Sequence, residues 1–391
     1  MYNIRSLLYT YRKREVTPSP NPKGGVKTIP IRRQTVSIMT HSIITGTGSY
    51  IPTARIPNSH FLNREFYSAD GVRLTKPNTE IIQTLQNITG IRERRYVTDD
   101  FKTSDIAFFA AEKAMEGVDP ESLDVIIVAQ NLGDVPQDNV RVDMVPTIAS
   151  RVKHKLGIQN PYTVAYDVPF GCPGWLHGMT LADYHIRSGD AKKILVIGAE
   201  TLSRISDPHD IDSMIFADGA GAALVEATEK EAGILAHVTR TDAADHVYLL
   251  RMGKSYNPNR TGGELYIKMD GHDIYRYALK IVPEVVKKCL EKVGYTLTDV
   301  RKVLIHQANE KMDHAILTRL FRLYGIKDIP EGVMPMTINR LGNSSVATLP
   351  TLLDLLCREE LEGHRVGSGD ILVFASVGAG MNINAMVYKV P

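Results

Sequence analysis

The sequence predicts an α/β fold built from two copies of one supersecondary plan. From Ser42 onward, apolar strand-like runs alternate with helical stretches, which is typical of an α/β architecture. Four of these runs form two similar pairs: residues 124–130 with 300–307, and residues 193–199 with 370–376. Both runs of the first pair end near a glutamine, and a Ser-Gly-Asp sequence precedes both runs of the second. We therefore expect an internal repeat, with halves over residues 42–228 and 229–391.

Composition fits a large folded protein and argues against several other classes. The chain has 391 residues, of which 43% are hydrophobic and 23% are charged, so it can bury a large core. A net charge of +2 argues against a nucleic-acid-binding protein. The cysteines Cys172, Cys289 and Cys357 are far apart, which indicates neither a disulfide framework nor a zinc site. No run is apolar enough for a membrane span, and we expect a cytoplasmic protein.

Residues 1–41 differ from the rest of the chain. The first 38 residues contain eight Lys or Arg but one acidic residue, Glu15, and four prolines interrupt any helix. No stretch there is apolar enough for a signal peptide, and no long amphipathic helix supports a transit peptide. We predict a flexible basic extension that is dispensable for chemistry.

Cys172 lies where an apolar strand-like run breaks at Gly171 and an amphipathic helix-like run begins. Unpaired N–H groups and the helix dipole lower a thiol pKa, so this position predicts a nucleophilic cysteine with a pKa shifted toward neutrality. The alternative is a buried small hydrophobic residue, which is the commoner environment of a free cysteine.

Two residues of the second half supply complementary chemistry. His306 follows the strand-like run 303–305, and Asn343 lies in a turn that Gly342 begins. Each could be purely structural when taken alone. Together with Cys172 they provide a nucleophile, an imidazole and an amide donor, which is the set needed for acyl chemistry on a thiol.

With several further motifs, the chain resembles the β-ketoacyl-acyl carrier protein synthase III family of the thiolase-like superfamily, from about Ser42 to the C-terminus. The motifs are GTGSYIP (46–52), ITGIRERR (88–95), LVIGAET (195–201), FADGAGA (216–222), HQAN (306–309), GNSS (342–345) and GAG (378–380). The resemblance implies a five-layered αβαβα fold of two pseudo-repeated halves. It also implies a Cys172, His306, Asn343 triad, with the backbone N–H groups of Cys172 and Ala379 as the oxyanion hole.

The resemblance also implies the reaction. An acyl group from acyl-coenzyme A or acyl carrier protein moves to Cys172, and a malonyl or β-ketoacyl thioester on acyl carrier protein then condenses with it. This is decarboxylative Claisen chemistry of fatty-acid or related lipid and polyketide biosynthesis, with no bound cofactor and no metal. The implied partners are acyl carrier protein, which Arg276 and Lys311 would contact, and a second copy of the chain.

Some positions depart from the family pattern. The positions that usually hold a Trp and two Arg for the coenzyme A nucleotide are Thr84, Ile88 and Ile211, so a carrier-bound starter becomes a plausible donor. An acyl pocket could include the apolar residues Phe66, Tyr67, Val142 and Met144, or these could be core. By analogy alone, this pattern is similar to relatives in aryl-polyene or dialkylresorcinol pathways.

Alternative functions stay open at this point. A Cys-His-Asn set also serves cysteine hydrolases, so a thioesterase is possible if the site admits an activated water. A non-catalytic partner subunit would lack the nucleophile, which this chain retains. A hydroxymethylglutaryl-CoA-synthase-like or head-to-head condensing enzyme would need a glutamate base near the thiol. The sequence offers no obvious candidate, although folding or a second subunit could supply one.

Overall fold

The computed structural model describes residues 40–136 and 142–391. The predicted flexible extension therefore lies outside the described residues, apart from Thr40 and His41 at its end. Residues 39–391 form one compact unit. None of the helices in the described ranges is long and apolar enough to cross a membrane.

The first sheet carries the N-terminal half of the repeat. Its strands are β1 (His41–Tyr50), β4 (Val125–Ala129), β5 (Val164–Val168), β6 (Lys193–Thr201) and β7 (Asp218–Thr228). They lie in the order β1-β7-β6-β4-β5, in which β4 is parallel to β5 and to β6. Along β6, side chains alternate between two hydrophobic clusters, so both faces of the sheet are covered.

The second sheet repeats this arrangement. Its strands are β8 (Gly233–Thr241), β11 (Val300–Ile305), β12 (Ile371–Gly378) and β13 (Asn382–Lys389). The order β11-β12-β13-β8 matches β4-β6-β7-β1 of the first sheet, with one parallel pair followed by two antiparallel pairs in each. The predicted equivalence of the two pairs of runs is thus present in the fold. All strands of the first sheet precede the turn between β7 and β8, and all strands of the second sheet follow it, while the division into two halves at residue 228 stays a prediction.

Six of the helices in the described ranges form three layers around the two sheets. The helices of these ranges are α1 (Asn78–Thr89), α2 (Thr103–Ala114), α3 (Ile148–Lys155), α4 (Gly174–Ser188), α5 (Ala243–His246), α6 (Gly271–Glu291), α7 (Glu310–Leu323), α8 (Ile338–Leu341) and α9 (Thr348–Cys357). Helices α2 and α3 cover the outer face of the first sheet, and α6 and α7 cover that of the second. Helices α4 and α9 pack between the sheets. The predicted five-layered αβαβα fold is confirmed.

Two short ribbons lie outside these layers. One pairs β2 (Ala54–Pro57) with β3 (Glu93–Tyr96), and the other pairs β9 (Leu250–Gly253) with β10 (Tyr266–Met269). Helix α1 packs near the first ribbon with Phe61 and Phe66 in a separate hydrophobic cluster. The second ribbon contributes apolar side chains to the cavity described next.

Candidate active site

A cavity of about 440 Å³ brings together the three residues that the sequence predicts to be catalytic. Cys172 enters it from the first half of the chain, and His306 and Asn343 enter it from the second. Most of the remaining wall is apolar, with side chains contributed by Leu202, Phe216, Leu250, Met252, Ile267, Met269 and Ile274. Such a lining fits an aliphatic ligand beside a few polar groups.

Cys172 lies between the end of β5 and the start of α4 at Gly174. The hydroxyl of Ser345 donates a hydrogen bond to its sulfur over 3.3 Å. Burial raises the pKa of the Cys172 thiol to about 11; the Ser345 hydroxyl acts in the opposite direction, and the Glu200 carboxyl adds to the rise. The predicted pKa near neutrality is therefore wrong, because removal of the sulfur from water outweighs the helix start.

His306 directly follows β11, and its backbone N–H donates to the Ala375 carbonyl on β12 over 2.9 Å. The side chain is 3% exposed, and burial lowers the pKa of the imidazole to about 4. The ring is therefore neutral at physiological pH. Its Nδ1 is buried without a hydrogen-bond partner, which leaves Nε2 as the ring nitrogen available to the cavity.

The other polar residues of the HQAN motif hold the loop around His306. Gln307 accepts hydrogen bonds from the N–H groups of Thr337 and Ile338 through Oε1, over 2.8 and 3.0 Å. Asn309 caps α7 by accepting from the N–H of Met312 over 3.0 Å. These two side chains therefore fix the backbone on which His306 sits.

Asn343 is held by its backbone and by one end of its amide. Its N–H donates to the Ile215 carbonyl over 3.0 Å, and its carbonyl accepts from Ala217 over 2.8 Å. Its Oδ1 accepts from the backbone N–H of Ser345 over 2.8 Å. Because the oxygen is engaged in this way, the Nδ2 group is the part of the amide left to donate into the cavity.

Two glycines bring the backbones of Cys172 and Ala379 close together. A Cβ on Gly171, whose φ is +70°, would lie 2.7 Å from the Ala379 nitrogen. A Cβ on Gly378 would lie 2.6 Å from the Cys172 nitrogen. Only glycine permits this approach, and the two N–H groups predicted as an oxyanion hole belong to neighbouring segments of the cavity wall.

Comparisons with known proteins agree with this geometry. Residues 166–243 match the family model of 3-oxoacyl-[acyl-carrier-protein (ACP)] synthase III, and residues 290–390 match that of its C-terminal part. A β-ketoacyl-[acyl-carrier-protein] synthase III of Xanthomonas oryzae pv. oryzae is 34% identical over 346 residues, which are 87% of this chain and 95% of the relative. The chain belongs to the β-ketoacyl-[acyl-carrier-protein] synthase III family. The predicted acyltransferase-type condensing enzyme is thereby confirmed.

Solved structures of two synthases of this type share the fold. The enzyme of Aquifex aeolicus is 28% identical, with a TM-score of 0.73 over 89% of this chain and 99% of its own. The enzyme of Pseudomonas aeruginosa is 25% identical, with a TM-score of 0.74 over 90% of this chain and 98% of its own. The thiolase-like architecture therefore extends over nearly all of the described residues.

The four residues predicted for an acyl pocket do not line the cavity of this synthase. Phe66 is 2% exposed and packs in the cluster beside α1, which fits the alternative that it is core. The Tyr67 ring packs edge-on against His209, 5.6 Å between centroids. Val142 and Met144 are 46% and 38% exposed. Apolar character alone did not distinguish a cavity wall from core or surface.

The predicted carrier contacts and two of the three nucleotide positions lie on the surface, whereas Ile211 is partly buried against the cluster beside α1. Arg276 on α6 and Lys311 on α7 are exposed, and Arg276 forms a 3.8 Å ion pair with Asp273. On α1, Thr84 is exposed and Ile88 is 44% exposed. An exposed isoleucine offers no charge to a nucleotide phosphate.

Sequence reasoning missed a set of polar residues behind the nucleophile. Asn131 and Ser345 line the cavity, and Glu200, at the end of β6, is buried behind Asn131 at 2% exposure. Glu200 was visible only as part of the LVIGAET motif, with no sign that it approaches Cys172. The sequence offered no obvious glutamate near the thiol; the fold brings Glu200 close enough to raise the pKa of Cys172, although Glu200 is not part of the cavity wall.

The residues that the structure describes contain no group of three or more His, Cys, Asp or Glu side chains placed to hold a metal ion.

Proposed function

We propose that Cys172 is the nucleophile of this synthase and that His306 and Asn343 stabilise the enolate of the second substrate. The observation that carries the proposal is the single cavity in which these three side chains meet beside an apolar wall. The substrates would be an acyl thioester on coenzyme A or acyl carrier protein and a malonyl, or β-ketoacyl, thioester on acyl carrier protein.

In the first step, the sulfur of Cys172 attacks the starter thioester carbonyl. The tetrahedral oxyanion accepts hydrogen bonds from the backbone N–H groups of Cys172 and Ala379, which Gly171 and Gly378 bring together. The carbon–sulfur bond of the donor then breaks, and the proton of Cys172 ends on the departing thiol. An acyl-cysteine remains.

In the second step, the malonyl carbon–carboxylate bond breaks and carbon dioxide leaves. The enolate oxygen accepts hydrogen bonds from Nε2–H of His306 and Nδ2 of Asn343. A neutral imidazole suits this role, because the burial that lowers its pKa to about 4 keeps it a hydrogen-bond donor that does not transfer its proton. Each such donor typically contributes on the order of 3 kcal/mol. The enolate carbon attacks the acyl group and expels the Cys172 sulfur.

We propose that the starter arrives on acyl carrier protein. Thr84, Ile88 and Ile211 provide neither an aromatic ring nor a cation for a nucleotide. The exposed cations Arg276 and Lys311 suit an acidic carrier. We also predict that the enzyme acts in a secondary lipid or polyketide pathway and that it is located in the cytoplasm.

We also propose a homodimer, built on the free edge of the first sheet. In the described residues, β5 pairs with β4 alone, so its other edge can pair with a second chain. Apolar side chains are exposed on and near this edge, with Tyr162 at 86% and Val164 at 55%. A monomer by light scattering, at concentrations where the enzyme is active, would contradict this proposal.

Intact-protein mass spectrometry tests the proposed chemistry. The enzyme is incubated with acyl-coenzyme A and acyl carrier protein donors of graded length, and then with malonyl carrier protein. We expect an acyl adduct on the wild type that discharges to a β-ketoacyl product, and no adduct on Cys172→Ala. An adduct that is only hydrolysed would favour a thioesterase, and the absence of any adduct would contradict the nucleophile.

A further inference from the structure

Partly buried hydrogen bonds connect Cys172 through Ser345 and Asn131 to Glu200. The amide nitrogen of Asn131 donates to Oε1 of Glu200 over 2.6 Å and to Oγ of Ser345 over 3.2 Å. The Ser345 hydroxyl in turn donates to the Cys172 sulfur over 3.3 Å. The four side chains come from four segments that are distant in sequence, so this row of hydrogen bonds forms only when the protein folds.

The hydrogens of the Asn131 amide determine which group donates and which accepts in this row of hydrogen bonds. An amide NH₂ group has two hydrogens, and those of Asn131 are used by Glu200 and Ser345. Ser345 Oγ therefore accepts from Asn131, and its own hydrogen is directed to the sulfur. A hydroxyl that donates to sulfur stabilises the thiolate relative to the thiol.

The backbone of Ser345 supports a specific role for this residue. Its φ is +52°, in the left-handed region that a non-glycine residue adopts at a cost. This conformation lets its N–H hold Oδ1 of Asn343 while its hydroxyl reaches Cys172. One residue thus contacts both the nucleophile and a member of the predicted enolate site.

We propose that Ser345 is a further catalytic residue that donates a hydrogen bond to the reacting sulfur, and that Asn131 and Glu200 are positioning residues that direct its hydroxyl. The proposal deepens the proposed function, because it rests on Cys172 as the nucleophile. Glu200 does not line the cavity, so it acts through Asn131 and not on the substrate.

The charge of Glu200 has an effect opposite to that of the Ser345 hydroxyl. Burial raises the pKa of Glu200 to about 8, hydrogen bonds from Asn131 lower it, and the nearby Asp218 carboxyl raises it. Since the thiol titrates above this value, Glu200 is ionised when Cys172 loses its proton and opposes that loss. Asp218 also acts on Glu200, and the neutral His306 lines the same cavity as Cys172. Substitutions of Ser345 and Glu200 should therefore shift thiolate formation in opposite directions.

The test is the alkylation rate of Cys172 by iodoacetamide as a function of pH, read by mass spectrometry of the peptide that contains it. Ser345→Ala and Ser345→Gly should both slow alkylation roughly tenfold at fixed pH. The pH profile of the alkylation rate should move upward by about one pH unit. Glycine adopts a positive φ without strain and alanine does not. An equal shift of the pH profile in both variants would therefore show that the lost hydroxyl, and not backbone strain, causes the effect. Glu200→Gln should speed alkylation roughly threefold.

Two controls accompany these variants. Ser344→Ala removes a neighbouring hydroxyl that contacts Thr348 and not the sulfur, and it should leave the rate unchanged. The exposed Cys357 of each sample provides an internal reference for reagent and pH. Thermal unfolding confirms that each variant is folded.

Unchanged alkylation in folded Ser345→Ala and Ser345→Gly would overturn the proposal. A change of the alkylation rate in the same direction for Ser345→Ala and Glu200→Gln would overturn the assigned role of the Glu200 charge. The readout needs no thioester substrate. If the shifts appear but the wild type forms no acyl adduct, the hydrogen-bond chain stands and the proposed condensation fails.

Discussion

Two regions of this protein differ in how firmly their side chains are held. One is the inside of the cavity, and the other is the set of surface positions predicted to meet the donor. Inside the cavity, His306 and Asn343 are 3% and 5% exposed, and each is fixed by backbone hydrogen bonds to a neighbouring strand or loop. On the surface, Thr84 and Ile88 project from α1 toward solvent, and the Thr84 hydroxyl bonds only the carbonyl one turn earlier. The first region keeps the family pattern and the second departs from it.

This difference indicates that the buried cavity residues determine the type of reaction, whereas the exposed surface residues determine which donor is recognised. A buried donor cannot change without leaving its partners unsatisfied, so the reaction type is tied to the fold. An exposed side chain can change at little cost in stability, so the means of donor recognition is free to diverge. The predictions below test this contrast, starting with the residues where the largest loss is expected.

Asn343→Ala should lower the rate of condensation about 10²- to 10³-fold, because one enolate donor is lost. Transfer of the starter to Cys172 should change far less, since that step uses a different set of donors. Separate measurements of acyl-adduct formation and of carbon dioxide release from malonyl carrier protein check this. Asn339→Ala is the matched control, because its side chain is exposed on α8 and does not line the cavity. Equal losses in both steps would contradict the division of roles.

His306 should make the protein less stable as the pH falls from about 6.5 to about 4. The unfolded imidazole takes up a proton in this range, whereas burial lowers the folded-state pKa to about 4, so protons favour the unfolded chain. The loss from this group is about 3 kcal/mol. Urea unfolding of the wild type and of His306→Asn at several pH values measures it. Identical pH dependence in the two proteins would show that His306 is not buried as a neutral group.

Much of the fold could be predicted from the sequence, because the repeated strand runs are continuous and apolar. The meeting of Cys172, His306 and Asn343 in one cavity could also be expected, chiefly from the resemblance, because each residue taken alone could have been structural. Their catalytic roles stay a prediction. The pKa of Cys172 could not, because burial and the Ser345 and Glu200 contacts come from segments distant in sequence. Phe66 illustrates a further limit: apolar character predicts burial but not which cluster a side chain joins.

Arg276→Glu combined with Lys311→Glu should lower kcat/KM for malonyl carrier protein about tenfold. The two exposed cations are proposed to attract an acidic partner. The ion pair of Arg276 with Asp273 is too exposed to contribute much to stability. Activity with a malonyl thioester on a small thiol should stay within about twofold. Lys230→Glu, in the turn after β7, is the control for charge alone. A matching loss with the small substrate would indicate damage to the cavity and not loss of docking.

Ile88→Arg is the smallest change and the sharpest test of the contrast, because it adds function at the surface without touching the cavity. The new guanidinium would stand on the exposed face of α1, at a position that the resemblance predicts to meet the coenzyme A nucleotide. A solvent-exposed contact of about 1 kcal/mol predicts a roughly fivefold rise in kcat/KM for acyl-coenzyme A. The rate with acyl carrier protein should stay the same. Leu323→Arg adds the same charge at the far end of α7, where it should favour neither donor. A rise with both variants would reflect net charge alone, and no rise with either would mean that α1 does not meet the donor.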